Sequence, residues 1–194
     1  MGIMGEKGLR MVVIGPPGAG KDTQAGFICK RYKLKMLSVG GILREEVSKR
    51  SRIGRMIKKD MESGNLVDDK ILNMILKKKL KKESRILIDG FPRDLSQAMD
   101  FGEISYALYI ACNKTNIMKR LLRRARIEKR KDDNRKVINH RWRVFTEETI
   151  PVVEYYRKKG ILREIDGNGS VEEVNELAMD LLGQDGLFQR LIKR

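Results

Sequence analysis

Cysteine is scarce in this chain. Only Cys29 and Cys112 occur in 194 residues, far apart, which excludes a disulfide framework and points to a reducing, cytoplasmic setting. Long hydrophobic runs are missing as well. Met11-Val12-Val13-Ile14 is typical, and a membrane-spanning helix needs about 20 apolar residues. Residues 1–8 carry no apolar core, so they read as a short leader and not as a secretory signal. They also lack the Ser or Thr that myristoylation of Gly2 would require at the sixth position. The single histidine, His140, falls in a helical stretch beside Arg141 and reads as a surface residue. Repeats and low-complexity linkers are absent, so residues 1–194 read as one domain, expected to be a monomer. Acidic residues are in deficit: 42 Lys and Arg stand against 26 Asp and Glu, a net charge of +16. Such a surface attracts nucleotides, RNA or acidic membranes, without choosing among them.

What is present alternates between short apolar runs and amphipathic stretches. Strands are expected at 9–14, 34–37, 85–88, 106–110 and 161–165. Helices are expected at 20–32, in several pieces over 41–82, from Thr115 onward and at 170–182. Ile71, Leu72, Ile75, Leu76 and Leu80 repeat at helical spacing, and the lysines of 77–82 read as a solvated helix end. A long helix over 134–159 is expected to be disturbed at Pro151, with Trp142 and Phe145 as packing residues. Five strands separated by helices imply an α/β fold: a five-stranded parallel sheet with helices on both faces. Ligands on such sheets sit at the C-terminal strand ends.

The first strand runs straight into Gly15-Pro-Pro-Gly-Ala-Gly-Lys21. This is G-x-x-x-x-G-K in the strand–loop–helix setting that a phosphate-binding loop requires. The glycines let backbone N–H groups turn around phosphate oxygens, the following helix adds its positive end, and Lys21 adds a full charge. Asp22 stands where Ser or Thr commonly follows the lysine, with Thr23 next.

The loop continues as Lys21-Asp-Thr-Gln24 and so resembles that of the adenylate kinase and UMP/CMP kinase family, G-x-P-G-x-G-K-G-T-Q. Asp89-Gly-Phe-Pro-Arg93 followed by Gln97 is similar to the family's D-G-[FY]-P-R-x-x-x-Q. Arg130-Lys-Asp-Asp-Asn134 with Arg141 is a third match. The resemblance implies a P-loop kinase fold with a mobile nucleoside-monophosphate-binding insert at 38–67 and a short LID at 124–134, which leaves no room for a zinc site. It also implies reversible, Mg²⁺-dependent phosphoryl transfer from ATP to a nucleoside monophosphate. In that frame Gly18, Ala19, Gly20, Lys21, Asp22, Thr23, Arg124 and Gly169 would contact ATP. Val39, Arg44, Asn65, Val67, Gly90, Arg93, Gln97, Arg130 and Arg141 would hold the acceptor. Mg²⁺ would be held by phosphates and waters, with Asp89 and Thr23 nearby. Two positions depart from the family pattern: Gly41 stands where an Asp is usual, and Val39 where adenylate kinases have Thr.

An acceptor phosphate is already an oxyanion, so the reaction calls for positioning and charge stabilisation more than for a base. Lys21, Arg93, Arg124, Arg130 and Arg141 suit that role, since guanidinium forks bind phosphate bidentately. Gln97 favours AMP as acceptor, whereas Val39 is closer to the pyrimidine pattern of UMP/CMP kinases. A third reading, an RNA- or ribosome-binding protein with vestigial activity, is motivated by the net charge, Asp22 and Gly41. The loop itself generates a test. Lys21→Met is expected to keep the fold by circular dichroism and to cut turnover at least ~100-fold, the order lost with one charge stabiliser.

Overall fold

The computed structural model describes residues 9–80, 85–101, 104–128 and 132–193. Residues 1–8, Lys81, Lys82 and Arg130 of the sequence reading lie outside the described residues. Five parallel strands, β1 (Arg10–Ile14), β2 (Lys35–Ser38), β3 (Ile86–Asp89), β4 (Tyr106–Ala111) and β5 (Leu162–Asp166), form one sheet in the order β2-β3-β1-β4-β5. Its register sets Val13 beside Asp89, and Ser38 beside Asp89 from the other side, so the ends of β1, β2 and β3 meet at one place.

Strand side chains alternate between two cores, as period-two geometry demands. Met11 and Val13 point into one, with Ala25 and Ile28 of α1 (Lys21–Tyr32), Ile117 and Leu121 of α6 (Lys114–Glu128), and Val174, Ala178 and Leu182 of α9 (Val171–Gln184). Val12 and Ile14 point into the other. There they meet α2 (Val39–Ser48), α3 (Arg52–Ser63), α4 (Asp69–Leu80), α5 (Leu95–Asp100) and α8 (Ile150–Lys158). The expected two-sided sheet is therefore present, with boundaries shifted by a residue or so.

Two short helices were not foreseen, α5 and α10 (Gly186–Ile192), each capped by an aspartate: Asp94 accepts from Gln97 N and Asp185 from Phe188 N. The long helix expected over 134–159 is also different. It runs as α7 (Arg135–Val144), a π-helical turn (Phe145–Thr149) and α8. The irregularity is a π-turn that ends just before Pro151 and contains Glu147, the residue whose carbonyl a proline at 151 cannot serve in a regular helix. The π-turn falls where the chain changes core: Ile138 of α7 packs in the α6 core, whereas Val152, Val153 and Tyr156 of α8 pack in the other.

Close approach dictates one contact in particular. A Cβ at Gly54 of α3 would lie 2.0 Å from the Glu46 carbonyl oxygen, so α2 and α3 can pack this tightly only with glycine there. The C-terminal helix is pinned by Phe188, fully buried and edge-on to both Tyr32 and Tyr106, with centroids 4.9 and 5.1 Å away. Phe188→Ala should cost about 3–5 kcal/mol, read as a lower urea midpoint at unchanged m-value.

Candidate active site

A cleft of about 360 Å³ opens at the C-terminal ends of the strands. Its walls come from the phosphate loop, the start of α2, the Gly64–Val67 connection, the Asp89–Gln97 segment, α6 and α7. Among the described residues six cations line it, Lys21, Arg44, Arg93, Arg120, Arg124 and Arg141, against the carboxylates of Asp22, Asp89, Glu128 and Asp132. The excess of positive charge suits the cleft to an anion.

The loop after β1 is held in the shape its glycines permit. Gly18 has φ 83°, and a Cβ there would lie 2.8 Å from Leu121 Cγ. Gly20 caps α1 in the left-handed region and offers no side-chain oxygen, which leaves the first-turn N–H groups of α1 for another acceptor. Lys21 Nζ donates to the Pro16 carbonyl at 2.9 Å across the loop. Burial holds the Lys21 pKa below the ordinary lysine range, and the opposing charge of Asp89 only partly restores it. An additional anion would stabilise this ammonium.

Asp89, at the end of β3, is 7% exposed. Burial raises its pKa, and Lys21 pulls it back down. Its Oδ2 accepts from Ser38 Oγ at 3.4 Å, whereas Oδ1 has no hydrogen-bond partner among the described residues. A buried, unpaired carboxylate oxygen facing a cationic cleft is the feature expected of an outer-shell acceptor to metal-bound water, so these residues fit a hydrated Mg²⁺. Asp22 and Thr23, on the first turn of α1, are exposed at the same cleft.

Opposite stands a network of arginines. Asp133, fully buried, accepts from Arg124 Nε at 2.7 Å and Nη2 at 2.9 Å, and from Arg141 Nη1 at 3.2 Å. Arg141 Nη2 also donates to Asp132 at 2.5 Å. Arg93 faces this group. Burial, then the neighbouring charge of Arg141, lowers its pKa, although its side chain still reaches solvent through the open cleft. Its Nε donates to the Gly90 carbonyl at 2.9 Å, and Thr149 Oγ1 of the π-turn donates to the Arg93 carbonyl at 2.6 Å.

Most of the sequence-predicted residues converge here. Gly18, Gly20, Lys21, Asp22, Thr23, Val39, Arg44, Asn65, Val67, Asp89, Gly90, Arg93, Gln97, Arg124 and Arg141 all line the cleft. Ala19 is buried behind the loop and does not. Gly169 also lies off the cleft; its carbonyl accepts from Arg120 Nη2 at 2.6 Å, so it reaches the site only through that side chain. Arg130 lies outside the described residues. Gly41 sits in the first turn of α2, where its N–H donates to Ser38 Oγ at 3.3 Å, and is not among the lining residues.

Sequence reasoning missed Arg120, one turn before Arg124 and therefore on the same face of α6. It donates to the carbonyls of Gly167, Asn168 and Gly169 and fixes that loop against the cleft. His140 is not a bare surface residue: its Nε2 lies 2.7 Å from Asn65 Oδ1. Beside it, a Cβ at Gly64 would come within 2.9 Å of Arg141 Cγ. Trp142 packs on the α6 core as expected, whereas Phe145 is both buried and part of the cleft wall.

A family model for adenylate kinase matches residues 13–161, from β1 to the start of β5, and so spans every wall of this cleft. The chain belongs to the adenylate kinase family. It is a nucleoside monophosphate kinase. Relatives agree over nearly the full length. An adenylate kinase of Thermobifida fusca is 37% identical over 185 residues, covering 90% of this chain and 98% of its own. One of Prochlorococcus marinus is 42% identical over 182 residues, covering 89% and 98%. One of Thermus thermophilus is 35% identical over 175 residues, covering 86% and 93%. Among the described residues, no helix is long and apolar enough to cross a membrane.

The Asp133 pairing carries its own test in this kinase. Asp133→Asn removes the buried charge between Arg124 and Arg141 and should lower stability by about 2 kcal/mol, the scale of charge-assisted hydrogen bonds. Added inorganic tripolyphosphate should recover more stability in the variant than in the unmutated protein, because the anion then supplies the missing charge. Both effects are read from thermal melts with and without the anion.

Proposed function

We propose that this kinase catalyses the reversible, Mg²⁺-dependent reaction ATP + AMP = 2 ADP. The observation that carries the acceptor assignment is Gln97: an amide only 4% exposed, set in the cleft wall beside Arg93. A buried amide lining a nucleotide cleft reads a base edge that presents a donor and an acceptor side by side, as adenine does.

The other residues take roles that follow from chemistry and place. The N–H groups of Gly18 and Gly20 and the ammonium of Lys21 receive the donor's phosphates, whereas the Ala19 N–H is taken by the Pro16 carbonyl at 3.2 Å. Arg44 and Arg93 grip the acceptor phosphate. Arg124 and Arg141 neutralise the charge that spreads over the transferred group, a role that the family resemblance extends to Arg130. Val39, Asn65, Val67 and Gly90 enclose the acceptor nucleoside, and Arg120 with the Gly169 loop lies toward the donor base. Asp89, with Thr23 and Asp22 beside it, would orient metal-bound waters. A bound Mg²⁺ would supply charge neutralisation for the donor's phosphates. The segments 38–67 and 124–134 would act as acceptor-side and donor-side covers whose closure excludes water, the competing nucleophile.

ADP formation from ATP with AMP, UMP, CMP and GMP in parallel tests the reading. AMP is expected to give the highest kcat/KM, and Gln97→Ala to raise the KM for AMP well above any change in the KM for ATP. A better rate with UMP or CMP would assign the acceptor to the pyrimidine class.

A further inference from the structure

Gln97 does not stand alone in the cleft wall. Its Nε2 donates to Asp69 Oδ1 at 2.7 Å, and its Oε1 accepts from the Arg93 backbone N–H at 2.8 Å. Ser96 Oγ lies 3.3 Å from Asp69 Oδ2, but its single proton has a shorter partner in Asp94 Oδ1 at 2.9 Å, so the amide is the principal donor to Asp69. Asp69 opens α4 but does not cap it, because Asp68 Oδ1 accepts from Lys70 N and Ile71 N. Its carboxylate is thus left to the amide.

These two partners fix which way round the amide lies. A carboxylate can only accept and a backbone N–H can only donate. Turning the Gln97 amide over would set oxygen against carboxylate and N–H against N–H, losing both bonds at once. Each polar atom of Gln97 keeps one further capacity, a second N–H on Nε2 and a second lone pair on Oε1. The pair offered to a ligand therefore has a fixed polarity.

Resting on the reading of AMP as acceptor, we propose that Asp69 is a specificity-determining positioning residue, which locks the Gln97 amide in the polarity that accepts adenine and rejects guanine in the same pose. The two purines present opposite polarity at the same ring positions. Adenine offers an acceptor at N1 and a donor at its six-amino group; guanine offers a donor at N1 and an acceptor at its six-oxygen. An amide free to turn over would serve either base. A locked amide serves one.

The test compares Asp69→Asn and Asp69→Ala with the unmutated kinase, using ATP with AMP and with GMP. Asn keeps the bulk but can either donate or accept, and Ala removes the carboxylate half of the lock, leaving the Arg93 N–H alone to orient the amide. Both variants are expected to lower the AMP-to-GMP ratio of kcat/KM by about tenfold or more, the order that one bidentate amide–base pair contributes to discrimination. The loss should fall on the KM for AMP more than on kcat, with the KM for ATP moving least. A thermal melt of each variant separates this from a purely structural role, in which stability would fall and both acceptors would suffer alike. A folded Asp69→Asn with an unchanged AMP-to-GMP ratio overturns the proposal while leaving AMP as acceptor. If the unmutated kinase itself prefers GMP or a pyrimidine monophosphate, the acceptor reading falls and the proposal with it.

Discussion

Arg124 and Arg141 stand side by side because a single buried carboxylate, Asp133, stands between them. Two guanidiniums would otherwise repel each other across a partly desolvated cleft, and Arg93 faces the same group. Asp133 therefore fixes the geometry of the arginines on α6 and α7 at the cost of part of their attraction for a ligand. What remains is a cleft whose cations exceed its carboxylates, with Lys21 held by burial below its ordinary pKa range. A polyphosphate entering it meets charges that are already placed and only partly neutralised. Such preorganisation stabilises a reacting phosphoryl group without reorienting dipoles at the moment of transfer.

The sheet makes this arrangement possible. β1 is central, and the strand ends that carry Ser38 and Asp89 lie on its β3 side, while α6, with Arg120 and Arg124, follows β4 on the other. The phosphate loop thus sits between a carboxylate wall and a guanidinium wall. Chain order and strand order differ, and the crevice opens where they do.

Much of this was legible in the sequence because it rests on local rules. The apolar run Met11–Ile14 marked a strand buried on both faces, and the glycines before Lys21 marked the loop. Arg93, Arg124 and Arg141 were legible from motif spacing and do share the cleft. Where the reading was incomplete, the cause is tertiary. Arg120 is one of several arginines on α6, and only the 167–169 carbonyls packed against it single it out. His140 does lie at the surface, but nothing in its own helix indicates that Asn65, 75 residues away, will meet it there. Nothing in the sequence singles out Asp69, because its bond to Gln97 depends on α5, a short helix whose signal is one aspartate cap. The disturbance expected at Pro151 is present, but its form, a π-turn that contains the i−4 residue Glu147, was not legible, because proline is visible in a sequence and a change of core is not.

That π-turn acts as a gear between two helices. Successive residues of an α-helix are set about 100° apart around the axis, so one extra residue in a turn rotates everything after it by roughly that angle. Here the rotation lets one nearly continuous rod present Arg141 to the phosphate side of the molecule and Tyr156 to the opposite core. The spacing between those two faces is thus counted in whole residues. A deletion of one residue between Phe145 and Thr149 would not merely shorten the rod: it would turn its two halves against each other, and either the arginine or the core packing of α8 would lose its place.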